Sequence, residues 1–273
     1  MAHDAGGGWV GLRGLPRESP VRAILVTFIV CGLCSGAIAT AVTFLRPFQD
    51  VNRARERTAH IEEIVAAVPG LESVLGALST AELRAHVVEL ASGADARELD
   101  PMRFDARRAA HDPATSVALP AERDTAGIGR RAHHATVFLV HEQQTLRLLV
   151  LPVYGTGYIS TLYGYLALES DLNTVAGLSF YEHAETPGLG SEIENPDWRR
   201  LWVGKKVRDP AGALRIGVAR GRVDPEGSEA PYQVDGLSGA TRTGIGVTNL
   251  LRFWLGPDGF GPFLERVRRG SVR

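Results

Sequence analysis

The chain reads as an α+β domain carried behind a single apolar helix, and three features of the sequence lead there. Residues 23 to 45 hold no charged side chain. From Ala135 onward, branched and apolar residues gather into short runs separated by polar turns, as strands do. Near the C-terminus, Gly246 to Leu255 and Pro262 to Arg268 return to helical spacing. With 44% hydrophobic and 22% charged residues over 273 positions, wholesale disorder and a many-span transporter are excluded.

Taken in order, residues 1–22 form a short Gly-rich tail, read as cytoplasmic. Its GGGWVG run spells a dinucleotide fingerprint by letter only, because no strand can precede it at a chain terminus. The 23 uncharged residues from 23 to 45 reach about 35 Å as a helix, enough to cross a bilayer core. A cleaved signal peptide is the rival, with Ala37-Ile38-Ala39 as a small-residue cleavage pattern, but its apolar region is usually only about 7 to 15 residues long. Arg13, Arg17 and Arg22 before the span face Arg46, Arg53, Arg55 and Arg57 after it, so charge bias fixes no orientation. Cys31 and Cys34 sit inside the apolar run and read as small helix residues. Gly32 and Gly36 are spaced for close contact with another membrane helix.

Residues 46–134 read as a helical stalk and irregular region packed on the soluble domain. The stalk ends at Pro69-Gly70, and Ser79 with Glu82 forms a capping box that predicts a short helix through Leu83, Val87 and Leu90, closed by Gly93. The next forty residues read as a surface excursion. Residues 135–273 form the main domain. ATVFLV, the polar HEQQ and TLRLLVLPV predict a hairpin, and further strands are expected over Tyr163–Leu168, Thr174–Tyr181, Leu214–Val218 and Tyr232–Val234.

Thirty Lys and Arg against 31 Asp and Glu give a net charge of −1, without the basic footprint of a nucleic-acid binder. His133 and His134 are adjacent and point to opposite strand faces, and no Cys or carboxylate cluster joins them with His141, so no metal site is read. Gly236-Leu237-Ser238-Gly239-Ala240 approaches a hydrolase nucleophile elbow but has Ala where the second Gly belongs.

Two segments resist a scaffold reading. Glu185-Thr186-Pro187-Gly188-Leu189-Gly190 exposes backbone N–H groups to a planar ligand or forms a plain turn. Asp235 to Thr243, DGLSGATRT, sets hydroxyls and small residues ahead of a helix, which suits a phosphate or a simple cap.

DGLSGATRT resembles the covalent flavinylation site of the FMN-carrying subunits of Na+-translocating NADH:quinone reductases and their ferredoxin-dependent relatives. The resemblance to the C subunit of the Na+-translocating enzymes extends from the anchor through DPATSVALPAERDTAGIGRRA and ETPGLGSEIENPDW to the last helix. It implies a mixed α+β FMN-binding domain in which Thr241 carries FMN through a phosphoester, formed when the hydroxyl displaces AMP from FAD on a separate flavin transferase. Ser238, Gly239 and Ala240 would keep that approach open, while Asp235 would orient the hydroxyl or hold the transferase's Mg²⁺. Thr243 is the competing acceptor. Thr186, Gly188, Leu189 and Gly190 match the family's loop on the flavin. The family usually reads Gly-Leu-Trp-Ser before its Tyr-Gly, whereas here Gly157 precedes Tyr158 and Ile159, which leaves open whether Tyr158 replaces the aromatic.

The resemblance further implies a single-pass protein of the bacterial inner membrane with a periplasmic domain. It would relay electrons from an intramembrane iron–sulfur centre toward the FMN of the B subunit, beside the D and E subunits. No NADH fingerprint is visible, and residues 23 to 45 contain no acid for a Na+ path. Three alternatives stand beside this reading: the G subunit of a ferredoxin:NAD ion-pumping complex, a non-redox anchored binding module, and a hydrolase at Ser238.

Overall fold

A computed structural model of the chain describes residues 20, 24–37, 39, 40, 81–101, 103–142 and 145–270, in two compact units, Met1–Arg55 and Glu56–Arg273. In the first, residues 24–37 are helical and carry Ile24, Phe28 and Leu33 exposed. Among the described residues no helix is long and apolar enough to cross a membrane. The expected stalk lies outside the described residues.

The second unit is built on an antiparallel sheet of β1 (Ala81–Glu89), β4 (His134–Glu142), β5 (Thr145–Thr156), β6 (Thr161–Glu169) and β7 (Val175–Glu182). These five strands lie side by side in the order β1-β4-β5-β6-β7. The expected hairpin is β4–β5, and the strands expected over 163–168 and 174–181 are β6 and β7. Both sheet faces carry buried side chains, so the strands read as nearly continuous apolar runs. Leu149, Leu151 and Val153 of β5 join the larger core, while the alternating Leu148 and Val150 join a second cluster with Tyr165 and Ala167.

The helix expected over residues 79–93 is instead β1. It pairs with β4 along its whole length, from Ala81 opposite Glu142 to Glu89 opposite His134. Extended backbone turns the adjacent Val87 and Val88 to opposite faces, where they are 1% and 0% exposed, and satisfies the open edge of β4. Tertiary pairing thus overrides a sequence of good helix formers. The segment upstream of residue 135 therefore contributes a strand to the central sheet. The expected excursion also carries structure: α1 (Ala106–His111) is capped by the Asp105 carboxylate, and β2 (Ser116–Ala118) pairs with β3 (Arg130–Ala132). Its loop inserts Ala126, 2% exposed, into the core and is tied to Asp258 by an Arg123 ion pair.

After β7, the short helix α2 (Pro196–Arg200) begins on an Asn195 cap. The strand expected over 214–218 shortens to β8 (Gly217–Val218), which pairs in parallel with β9 (Gln233–Val234). Two helices close the larger core, α3 (Thr241–Trp254) and α4 (Gly261–Arg268). Helix α3 starts five residues before the expected Gly246. Gly244 and Gly246, which look like loop residues, serve close packing: a Cβ on Gly246 would lie 2.5 Å from the Thr156 carbonyl oxygen. Val247, Leu250 and Leu251 join the larger core, and Trp254 Nε1 donates to the Tyr154 carbonyl at 2.7 Å.

Candidate functional site

The β5–β6 turn, residues 185–194 and the start of α3 converge on one buried carboxylate. Thr156 pairs with Thr161, and the intervening turn closes through the Gly157 N–H to the Ser160 carbonyl at 2.7 Å. This leaves the N–H groups of Tyr158, Ile159 and Ser160 without partners in the ladder. All three donate to Glu185 Oε1, at 3.1, 2.9 and 3.1 Å. Oε2 of the same carboxylate accepts from Thr243 Oγ1 at 2.7 Å. Burial works to raise the Glu185 pKa, but the Thr243 hydroxyl and the N–H groups of Ile159, Ser160 and Tyr158 outweigh it and hold the group below the usual carboxylate range. A buried charge with four donors is tolerable where an unpaired one is not.

Glycine is required around this carboxylate. A Cβ on Gly157 would lie 2.6 Å from Oε1, and one on Gly190 would lie 2.6 Å from Oε2. The loop itself folds back: the Thr186 carbonyl accepts from the N–H groups of Leu189 and Ser191, and the Gly188 N–H donates to Ser191 Oγ. Leu189 then lies against Gly239, where a Cβ would come within 2.8 Å of its Cδ2. The ETPGLG and SGAT segments are therefore in contact.

Helix α3 opens with Gly244 N–H bonding the Ala240 carbonyl, which leaves the N–H groups of Thr241, Arg242 and Thr243 as its free first-turn donors. No acidic residue stands in that turn. Thr241 is exposed, whereas Thr243 is 1% exposed with its hydroxyl committed to Glu185. A cleft of about 340 Å³ is lined by Tyr158, Glu185, Thr186, Leu189, Gly190, Gly239, Ala240, Thr241, Arg242 and Thr243. A second cleft of about 380 Å³ shares Tyr158 and Arg242 with it, and the Arg242 guanidinium stands 5.3 Å from the centre of the Tyr158 ring.

Three expected residues do not line the first cleft. Ser238 is exposed on the approach to α3, and Gly188 shapes its loop through a φ of +72°. The Asp235 carboxylate accepts from the Val223 N–H at 2.8 Å and its carbonyl from Trp198 Nε1 at 2.9 Å, so this residue fastens neighbouring chain segments together. Sequence reasoning passed over Glu185 and Arg242. Glu185 gave only its membership of ETPGLG as a signal, and Arg242 gave only its place beside Thr241.

Free helix N–H donors, a guanidinium with no ion pair among the described residues, a glycine cradle and an adjoining apolar wall suit a group that carries both a phosphate and a planar ring. The fold and site define an FMN-binding domain: residues 157–256, from the β5–β6 turn to just past α3, match the family of that description. The chain belongs to the family formed by the C subunit of Na+-translocating NADH-quinone reductase. It is 48% identical to that protein from Pseudomonas aeruginosa, over 94% of this chain and 99% of the relative, and 42% identical to that from Vibrio parahaemolyticus, over 89% and 95%. The crystal structure of Shewanella oneidensis NqrC matches with a TM-score of 0.64 at 36% identity, covering 73% of this chain and 88% of that one.

Proposed function

We propose that this protein is a membrane-anchored electron carrier whose FMN is held by a phosphoester to Thr241. The observation that carries the reading is the contrast between two threonines of one motif. Thr241 offers an exposed hydroxyl at a helix N-terminus with free N–H donors, while Thr243 is buried and spent on Glu185. Attachment forms the bond from Thr241 Oγ1 to phosphorus, breaks the pyrophosphate bond of FAD, releases AMP and frees the hydroxyl proton, on a flavin transferase. Bound FMN would supply one- and two-electron redox chemistry. The first-turn N–H groups and Arg242 would meet the phosphodiester charge. Thr186, Leu189, Gly190 and Tyr158 would line the ring's side of the cleft, with Gly188 setting the loop. Ser238, Gly239 and Ala240 leave the hydroxyl accessible, and Asp235 holds the preceding segment in place.

Residues 23–45 serve as a single membrane span in the bacterial inner membrane, with the FMN domain in the periplasm. The uncharged run and the exposed Ile24, Phe28 and Leu33 support it. Within the reductase, electrons pass from an intramembrane iron–sulfur centre through this protein to the FMN of the B subunit, with the D and E subunits as neighbours. NADH oxidation and Na+ translocation fall to those partners.

Intact-mass measurement of the protein co-expressed with a flavin transferase tests the attachment. The unsubstituted protein and Thr243→Val carry an FMN-sized increment, and Thr241→Val lacks it. An increment retained in Thr241→Val refutes the assignment.

A further inference from the structure

We infer that Glu185 tunes the potential of the flavin, as a fixed negative charge in the wall of the first cleft that makes the ring harder to reduce. This rests on the flavin at Thr241, and it gives Glu185 a task beyond fastening the turn, the loop and the helix together.

Glu185 lines the first cleft beside Thr186, Leu189, Gly190 and Thr241, yet only 5% of it is exposed. Its carboxylate is bonded by three peptide N–H groups and one hydroxyl, none of which carries a formal charge. Such dipoles keep a carboxylate ionised without cancelling its charge. No cation pairs with it among the described residues. The neighbouring His183 accepts from the Glu185 N–H through Nδ1 at 3.1 Å, and an imidazole that accepts there is the neutral form. Glu194, 2.9 Å from the other ring nitrogen, adds no positive charge either.

The cation in the lining of the same cleft is Arg242, and it is exposed. Charges that stand in water are screened by salt, whereas a buried one acts through a lower effective dielectric and is screened much less. Glu185 therefore dominates on the inner wall. An electron arriving at the ring adds negative charge beside that carboxylate, and the repulsion favours the oxidised flavin. A carrier tuned in this direction gives its electron up more readily to the next acceptor.

Glu185 acts here as a field and not as a proton acceptor. A carboxylate offers about four acceptor sites, and the three N–H groups on Oε1 with the Thr243 hydroxyl on Oε2 already take them. Glutamine is the informative replacement because it removes the charge and can keep the clamp. Its carbonyl oxygen takes the place of Oε1, and its amide donates to Thr243 Oγ1 where Oε2 accepted.

The test uses full-length protein co-expressed with a flavin transferase and titrated with dithionite while the flavin absorbance is followed. The midpoint potential of Glu185→Gln lies above that of the parent, and the difference persists in high salt. Glu185→Asp, which keeps the charge, and Thr243→Val, which loosens the clamp without touching the charge, stay closer to the parent than to Glu185→Gln. An unchanged or lower midpoint in Glu185→Gln overturns the inference, as does an equal rise in Thr243→Val or a difference that vanishes in salt. If Glu185→Gln takes up no flavin, infrared difference spectra decide. Reduction of the parent shifts a carboxylate band that Glu185→Asp displaces, because the coupling between electron and carboxylate is reciprocal, and absence of that band overturns the inference. Unsubstituted protein without an FMN-sized mass increment removes the flavin reading and this inference together, whereas flavinylated Glu185→Gln with an unmoved midpoint removes the inference alone.

Discussion

Glu185 fastens three chain segments with one carboxylate, through the turn N–H groups on Oε1 and Thr243 on Oε2. Glu185→Ala strands those donors in a buried site and lowers stability by about 3 kcal/mol, read from urea midpoints. Its pKa is depressed in the folded state, below the ordinary 4.5 that the unfolded chain recovers. The charged form thus stabilises the fold at every pH above that value, and the contribution is lost as pH falls from there through the folded-state pKa. The stability gap between the parent and Glu185→Gln should narrow over that acid range and stay constant at neutral pH. A gap that widens in acid contradicts the hydrogen-bond pattern. The two threonines separate in the same measurement: Thr241→Val changes stability by less than about 0.5 kcal/mol, whereas Thr243→Val costs about 1 to 2 kcal/mol by orphaning Oε2. None of this was legible in the motif, because letters give spacing and composition but not which hydroxyl faces inward.

Elements whose partners lie close in sequence were the readable ones. The apolar runs of β4 through β7 were plain, since each strand is joined to the next by a short connection. Strand β1 was not, because its pairing with β4 joins residues more than forty positions apart and its own letters favour a helix. The start of α3 was hidden for a different reason: Gly244 and Gly246 weaken helix propensity, yet their missing side chains let the helix sit on Val218 and on the end of β5. Gly246→Ala should therefore destabilise, by about 2 to 3 kcal/mol, where intrinsic propensity alone would predict a gain near 1 kcal/mol. Calorimetry decides the sign. Leu250 is fully buried in the same core, and Leu250→Ala should cost about 2 to 5 kcal/mol.

At the scale of the whole molecule, the α+β class and the FMN-binding character followed from the strand runs and from DGLSGATRT. The clefts did not, because they are assembled from the 124–127 loop, the β5–β6 turn, the ETPGLG loop and α3, which only folding brings together. The proposed membrane span makes its own prediction: full-length protein stays in the membrane pellet through an alkaline carbonate wash, and protein starting at residue 46 is released. Recovery of the full-length chain in the supernatant would rule out the span. The convergence on Glu185 also bears on how easily charge can be exchanged here. Because the turn, the loop and the helix are clamped to a single point, the dipoles around the Thr241 cleft are already set and have little room to swing. For the proposed flavin carrier, a stiff shell of this kind would keep the reorganisation energy low, so that an electron could hop on or off quickly even when the driving force is slight.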